Sequence, residues 1–326
     1  MIKQRLAPET LAEAVRYFAD PDVAFAFIVQ LRWPAGVACP ECGGADPSLI
    51  ASRRLWQCKA CRKQFSVKAG TIFEDSPLGL DKWLPAVWLL VNAKNGISSY
   101  ELHRAIGVTQ KTAWFMLSRI RLAMQSSSFD KLDGEVEVDE AYIGGKVTNM
   151  HKSKRARMPH KGMGHGHMKA VVGMLQRKRG GRPSTVRVAP VATVRRHELD
   201  AHVQRTVEKG AAIYTDYLDS YRSLAKNQWK DIYTHAAINH AVRYAEGAVH
   251  TNGLENFWSL LKRSIKGTYV SVDPFHLFRY LDEQAFRFNN RRMNDFERFR
   301  AVLRDLTGKR LTYKELTSAD LLPATT

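Results

Sequence analysis

The sequence lacks a stretch of apolar residues long enough to cross a membrane. Its most apolar segment, WLPAVWLLVNA from Trp83, is far shorter than the roughly 20 residues that a transmembrane helix needs. The first residues are polar and of mixed charge, without the basic and then apolar pattern of a secretory signal. We therefore expect a soluble protein of the cytoplasm, without membrane partners.

Acidic residues are scarce relative to basic ones. The 326 residues include 50 Lys and Arg but only 32 Asp and Glu, which gives a net charge of +18. This surplus favours a polyanionic partner, because Lys and Arg gain affinity by releasing the counterions condensed on nucleic acid. Charge alone does not identify the polymer, and a merely solvated basic surface is the alternative. With 44% hydrophobic residues, the composition excludes a disordered or collagen-like chain, and the length suggests about two domains.

Cysteine is equally scarce, and all four cysteines fall in one window. Two C-x2-C pairs are separated by fifteen residues, and their members are Cys39, Cys42, Cys58 and Cys61. Two such turns facing each other supply the four thiolates that structural zinc prefers. Disulfides or a redox pair are disfavoured, because no secretory signal is present and no βαβ pattern surrounds either pair. We expect a zinc ribbon, serving either as a DNA reader or as a protein docking surface.

Helical periodicity follows the ribbon. Three successive helices are predicted between Leu80 and Ala123, and a short turn containing Gly107 joins the last two, as in a helix-turn-helix. We expect exposed polar residues on the last helix that could contact DNA, namely Gln110, Lys111, Arg119 and Arg121. A plain helical bundle is an equally good interpretation of this segment.

The second half alternates between strand and helix patterns, with acidic residues at notable positions. EVEVDEAYIGGK predicts a strand that carries Asp139 and Glu140, and Asp216 stands where a later strand ends. NGLENFWSLLKRSIKG predicts an amphipathic helix whose polar stripe holds Glu255 and Lys262. By the two-residue period of a strand, Glu140 should point to the face opposite Asp139.

Three carboxylates from two strands and a helix suit a two-metal site for phosphoryl transfer. Mg²⁺ takes a few carboxylates and the substrate phosphate as ligands, and two such ions stabilise the attacking and leaving oxygens. Each acid taken alone is weak evidence, because such residues often serve as caps, turn residues or a solvated helix face.

The motifs VEVDEAYIGGK, IYTDYLDSY and HTNGLENFWSLLKRSIKGTY resemble those of the ISXO-type insertion-sequence transposases, which belong to the RNase-H-like DDE superfamily. The resemblance implies an α/β fold, in which a mixed-sheet catalytic domain follows a zinc ribbon and a helical, helix-turn-helix-like segment. The corresponding divisions are an N-terminal helical segment 1–35, the ribbon 36–75, the helical DNA-binding segment 76–128, the catalytic domain 129–300 and a tail 301–326.

The resemblance also implies an activity. Asp139, Asp216 and Glu255 would bind catalytic Mg²⁺ or Mn²⁺, and Lys262 would hold substrate DNA. Asn252 is an alternative third ligand, because related elements are described with Asn there. The enzyme would cut double-stranded DNA at element ends and join the 3′-hydroxyl to target DNA, as a homo-oligomer at the nucleoid.

Two other classes of protein remain as alternatives. One is a zinc-ribbon DNA-binding regulator with an inactive nuclease domain, and the other is a nuclease that cuts without joining. The basic stretch from Lys146 to Lys169 matches no phosphate-binding fingerprint, and we expect a loop that either follows the DNA backbone or is merely solvated.

Overall fold

The computed structural model describes residues 7–125, 130–144, 152–153, 168–216, 220–221, 232–238 and 249–318. The chain forms two compact units. The first comprises Met1–Gln125 and Met293–Thr326, and the second comprises Ser126–Arg292. Most of the basic stretch between residues 146 and 169 lies outside the described residues.

The first unit begins with two helices and a small antiparallel sheet. The helices are α1 (Leu11–Phe18) and α2 (Pro21–Arg32), and the strands are β1 (Ser48–Ile50), β2 (Leu55–Gln57) and β3 (Gln64–Ser66). The strands pair in the order β1-β2-β3, which is the three-stranded sheet expected of a zinc ribbon.

The predicted three helices follow, as α3 (Leu80–Asn92), α4 (Ser99–Ile106) and α5 (Gln110–Met124). Ser98 and Glu101 form a capping box at the start of α4, which satisfies backbone N–H groups that the helix leaves unpaired. Gly107 ends α4 in the left-handed region at φ 66°, a conformation that glycine adopts without steric cost. The turn between α4 and α5 therefore forms where the sequence predicts it.

The C-terminal helices α9 (Asp295–Arg304) and α10 (Tyr313–Thr317) also belong to the first unit. Phe299 of α9 is fully buried, and its ring lies 5.5 Å from that of Phe18 and 5.2 Å from that of Trp88. The sequence pattern divides the chain at residue 300, whereas in the structure the chain returns to the first unit at Met293. The local sequence does not reveal which core buries the aromatic residues of α9.

The second unit is built on a five-stranded mixed sheet. Its strands are β4 (Glu135–Ile143), β5 (Lys169–Gln176), β6 (Thr185–Val191), β7 (Ala212–Asp216) and β8 (Thr234–Ile238). They lie in the order β6-β5-β4-β7-β8. The β4-β5-β6 pairs are antiparallel and the β4-β7-β8 pairs are parallel. This order and mixture of directions define an RNase-H-like sheet and confirm the predicted fold class.

Helices cover both faces of this sheet. Val136 and Val138 of β4 pack in one core with Leu199 of α6 (Arg196–Thr206). Ala141 packs in the other core with residues of α7 (Asn252–Ser264) and α8 (Leu277–Asn289). The apolar stripe predicted for α7 is buried, and Glu255 and Lys262 are exposed, as predicted. Among the described residues, no helix is both long and apolar enough for a membrane span.

Candidate active site

Two neighbouring parallel strands bring Asp139 and Asp216 together at the point where their pairing ends. Val138 of β4 is in register with Thr215 of β7, so the next residue of each strand is an aspartate at the same edge of the sheet. Carboxylate oxygens of Asp139, Glu140 and Asp216 all lie within 4.8 Å of one another. We call these three residues the acidic cluster. Oxygen donors at this spacing suit a hard divalent cation such as Mg²⁺.

Glu140 is a member that the sequence pattern did not suggest. Its carboxylate accepts a hydrogen bond of 2.9 Å from the hydroxyl of Tyr221, which packs in the core of the face opposite α7. The expected change of face between residues 139 and 140 is therefore present. The longer glutamate side chain nevertheless returns its carboxylate to both aspartates. The only sequence feature that indicates the membership of Glu140 is its position next to Asp139.

Burial and mutual repulsion disfavour ionisation of this cluster. Burial raises the pKa of Asp139 to about 6, and the charges of Asp216 and Glu255 add to the effect. Burial raises the pKa of Glu140 to about 7, with further contributions from Asp216 and Asp139. Carboxylates that repel one another at neutral pH are compensated best by a cation between them.

Helix α7 lies against the cluster through Trp258. The indole N–H of this nearly buried residue donates a 2.9 Å hydrogen bond to Oδ2 of Asp139. Glu255 is exposed in the first turn of α7 and lies outside the 4.8 Å group, but its charge contributes to the raised pKa of Asp139. Asn252, the first residue of α7, and Lys262 are also exposed.

A buried acid on β4 holds the start of α7. The side chain of Glu137 is only 2% exposed, and its Oε2 accepts a 3.0 Å hydrogen bond from the backbone N–H of Leu254. Its other oxygen accepts from Nε of Arg177 at 2.9 Å, and Arg177 also donates to the carbonyl oxygen of His250. A Cβ at Gly253 would lie 2.8 Å from Oε2 of Glu137. Glu137 therefore docks the helix, which sequence periodicity could not reveal.

The four cysteines form a second candidate metal centre, in the first unit. Their sulfurs lie within 4.8 Å of one another, with Cys39 Sγ 3.8 Å from Cys61 Sγ and Cys42 Sγ 3.6 Å from Cys58 Sγ. Zinc–sulfur bonds of about 2.3 Å in a tetrahedron place neighbouring sulfurs about 3.8 Å apart. The backbone N–H of Cys61 lowers the pKa of the Cys58 thiol to about 6, whereas burial and the neighbouring thiols raise the pKa of Cys61 to about 11. The geometry therefore fits structural zinc.

The expectation that Arg119 and Arg121 are exposed is wrong. Arg119 is 4% exposed and Arg121 is 1% exposed. The loop before α3 and the C-terminal segment cover Arg119. Arg119 donates hydrogen bonds to the carbonyl oxygens of Ile72, Glu74 and Leu311. Its guanidinium therefore ties together segments that are far apart in sequence.

The exposed part of α5 is its N-terminal turn. Lys111 is exposed there, with its ammonium 4.7 Å from the centroid of the Tyr313 ring, and Gln110 is half-buried. Residues Met116–Met124 are all buried. In a helix-turn-helix, the N-terminal residues of the second helix reach the base edges, so Lys111 remains suitable for DNA contact.

An RNase-H-like sheet that carries an acidic cluster where the pairing of β4 and β7 ends fits the class of metal-dependent enzymes. Comparison with protein families agrees. Residues 131–289 match the ISXO2-like transposase domain, and residues 20–64 match the transposase zinc-ribbon domain. Both matches support the ISXO2-like transposase family that the sequence motifs predicted.

A curated relative also comes from a mobile element. The chain is 30% identical over 146 residues to a protein described as an uncharacterized protein in transposable element ISH50, from Halobacterium salinarum. The match covers 44% of this chain and 49% of the relative, so the chain spans about half the length of the curated protein it matches.

Proposed function

We propose that this protein cleaves DNA at the ends of an insertion sequence and joins the freed 3′-hydroxyl to target DNA. The observation that carries the proposal is the acidic cluster, which lies within the region matched by the transposase domain. Both reactions are in-line displacements at phosphorus, so one site can perform them in succession. Neither needs a covalent intermediate with a protein side chain.

The acidic cluster and Glu255 are the proposed holders of Mg²⁺ or Mn²⁺. Bound there, the metal would activate the attacking oxygen and neutralise charge on the scissile phosphate. The contribution of the protein is to hold the carboxylates in one arrangement, so that the site does not have to reorganise during the reaction. We place Glu255 at the third family position, because Mg²⁺ in proteins is held mainly by carboxylates, and Asn252 is the alternative.

Basic residues of both units would hold double-stranded DNA. Lys262 lies two helical turns after Glu255 on the exposed face of α7, where it could bind a phosphate beside the cluster. Lys111 and the zinc ribbon are the candidates in the first unit. The net charge of +18 supports such a partner.

The proposal extends to assembly and location. Transposition brings two element ends together, so the working complex would contain more than one copy of the chain. Its substrate is the DNA of the cell, which implies a cytoplasmic, nucleoid-associated protein.

The test is a cleavage and strand-transfer assay on DNA that carries the element ends, with Mg²⁺ added. We expect joined products from the parent chain, and none from Asp139→Ala, Asp216→Ala or Glu255→Ala, while each variant still binds the ends. Activity in Glu255→Ala combined with none in Asn252→Ala would reassign the third position. If the parent cleaves intact ends but does not join pre-cleaved ends to target DNA, the result would favour a nuclease. If it binds the ends without cleaving them, the result would favour a regulator.

A further inference from the structure

Gly173 of β5 and Trp258 of α7 meet directly beside Asp139. Gly173 is paired in register with Asp139 across the β4-β5 ladder. A Cβ at position 173 would lie 2.6 Å from Cζ2 and 2.8 Å from Cη2 of Trp258, and 2.9 Å from Cδ2 of Leu254. Real Cβ atoms essentially never approach other atoms so closely. The absence of a side chain at position 173 is therefore what allows the edge of the indole to pack against β5.

The position of the indole determines where its N–H points. Trp258 is only 4% exposed, and the ring edge that touches Gly173 and the N–H that reaches Oδ2 of Asp139 belong to one rigid bicycle. Phe257 packs beside it at 5.3 Å between ring centroids, which restricts the ring further. A displacement of the ring at Gly173 would therefore also displace the hydrogen-bond donor at Asp139.

We propose that Trp258 is a positioning residue for Asp139, and that the missing side chain at Gly173 provides the space that fixes the position of the Trp258 indole. The N–H donor fixes the rotation of the Asp139 carboxylate about its Cβ–Cγ bond and occupies Oδ2, so that Oδ1 is presented to the divalent cation. Partners that orient a ligand in this way commonly change metal affinity or activity by 10–100-fold when they are removed. This inference rests on the proposed metal site at the acidic cluster.

The test measures Mn²⁺ binding by the zinc-loaded full-length chain, with free Mn²⁺ followed by electron paramagnetic resonance. Trp258→Phe keeps an aromatic ring and removes the donor, and we expect it to weaken Mn²⁺ binding by about 10-fold or more. Gly173→Ala should weaken binding in the same direction, because it displaces the intact indole. A strand-transfer titration should show the same increase in the Mn²⁺ concentration needed for half-maximal joining.

The matched control is Trp83→Phe. Trp83 is 1% exposed, and its indole N–H donates to Oγ of Ser76 at 3.0 Å in the other unit. This variant loses the same donor from a buried tryptophan, and it should keep the parent affinity for Mn²⁺ even if its melting temperature falls. If Trp258→Phe fails to fold, 3-benzothienylalanine at position 258 keeps the shape of the indole and removes only the N–H.

The outcomes separate this inference from the proposed function. A parent that binds Mn²⁺ through Asp139 and Asp216, together with a folded position-258 variant of unchanged affinity, would overturn the role of Trp258 and leave the metal site standing. A parent that binds no Mn²⁺, or that binds it equally well after Asp139→Asn and Asp216→Asn, would overturn both.

Discussion

At the scale of single residues, the acidic cluster would favour a bound cation, and without a cation its ionisation destabilises the folded state. Asp139 and Glu140 have pKa values of about 6 and 7, against 3.8 and 4.5 for unperturbed groups. Between about pH 4 and pH 7 the folded state therefore binds more protons than the unfolded state. The contribution of these groups to the free energy of unfolding consequently falls as the pH rises through this window.

Asp139→Asn should therefore stabilise the protein when no Mg²⁺ is added. We expect the gain over the parent to increase between pH 5 and pH 8, as the folded Asp139 loses its proton, and to reach about 1 kcal/mol or more at pH 8. This corresponds to roughly 2–4 °C in melting temperature. Thermal melts of the zinc-loaded chains measure it, and saturating Mg²⁺ should remove or reverse the difference. Equal gains at both pH values would contradict the assignment of a raised pKa to Asp139.

At the scale of elements, the feature that organises the site is the docking of α7 on β4. Glu137 receives the backbone N–H of Leu254, and Asp139, on the same face of the strand, receives the indole N–H of Trp258. Alternate residues of one strand thus fix both the start and the middle of the helix. This explains why the EVEVDE strand has an acid at a fully buried position as well as acids in the cluster.

Removing the charge of Glu137 should loosen the start of α7. Glu137→Gln leaves Arg177, which is 13% exposed, without its buried counter-ion, and we expect a loss of about 3 kcal/mol in the free energy of unfolding. Glu135→Gln is the matched control, because Glu135 is half-exposed and lies 3.3 Å from the same arginine. It should cost at most about 1 kcal/mol. Urea titration provides the comparison, and equal losses from the two variants would contradict the docking role.

Substitutions of two basic residues of α5 should have different effects, one on stability and the other on DNA binding. Arg119→Ala leaves one buried and two partly buried carbonyl oxygens without their donor, and we expect it to lower the free energy of unfolding by about 3 kcal/mol. Lys111→Ala should leave the melting temperature within about 1 °C and weaken DNA binding, with a salt-dependence slope reduced by about 1. Binding isotherms at several salt concentrations measure this, and an unchanged slope for Lys111→Ala would remove it from the DNA interface.

Local sequence patterns predict the helices and strands of this protein better than they predict the contacts between them. Period-two alternation predicts β4, and the spacing of Leu254, Phe257 and Trp258 predicts the buried stripe of α7. The burial of Arg119 depends on Leu311, 192 residues away, and no local pattern contains that contact. The inclusion of Glu140 in the acidic cluster depends on the reach of one side chain from the opposite face of β4. The docking role of Glu137 likewise depends on a helix more than 110 residues later.

At the scale of the whole molecule, a ribbon and helices in one unit accompany an RNase-H-like sheet in the other. The excess of basic residues and the local concentration of acids have separate functions in this account. The first attracts the DNA backbone, and the second is confined to the place where a cation would offset its repulsion of the phosphates. Loss of DNA binding and loss of metal binding should therefore be separable by substitutions in different parts of the chain.

Loss of zinc should remove end recognition and leave the catalytic unit able to bind metal. We expect Cys58→Ser to lower the zinc content from about one ion per chain to near zero, because a four-thiolate site does not tolerate the loss of a ligand. DNA binding should weaken, while Mn²⁺ binding at the acidic cluster persists. Metal analysis and a binding isotherm on the same sample test this. Parental DNA affinity in the zinc-free variant would make the ribbon dispensable for recognition.

The most direct test of the central claim is covalent joining of a pre-cleaved element end to a target plasmid by the zinc-loaded chain in Mg²⁺. The measured quantity is the fraction of labelled 3′-hydroxyl ends recovered in the target. We expect joined ends with the parent chain, and a loss of at least about 100-fold with Asp139→Asn or Asp216→Asn at equal DNA occupancy. Joining that persists in either variant, or a parent that binds the ends and never joins them, would contradict it.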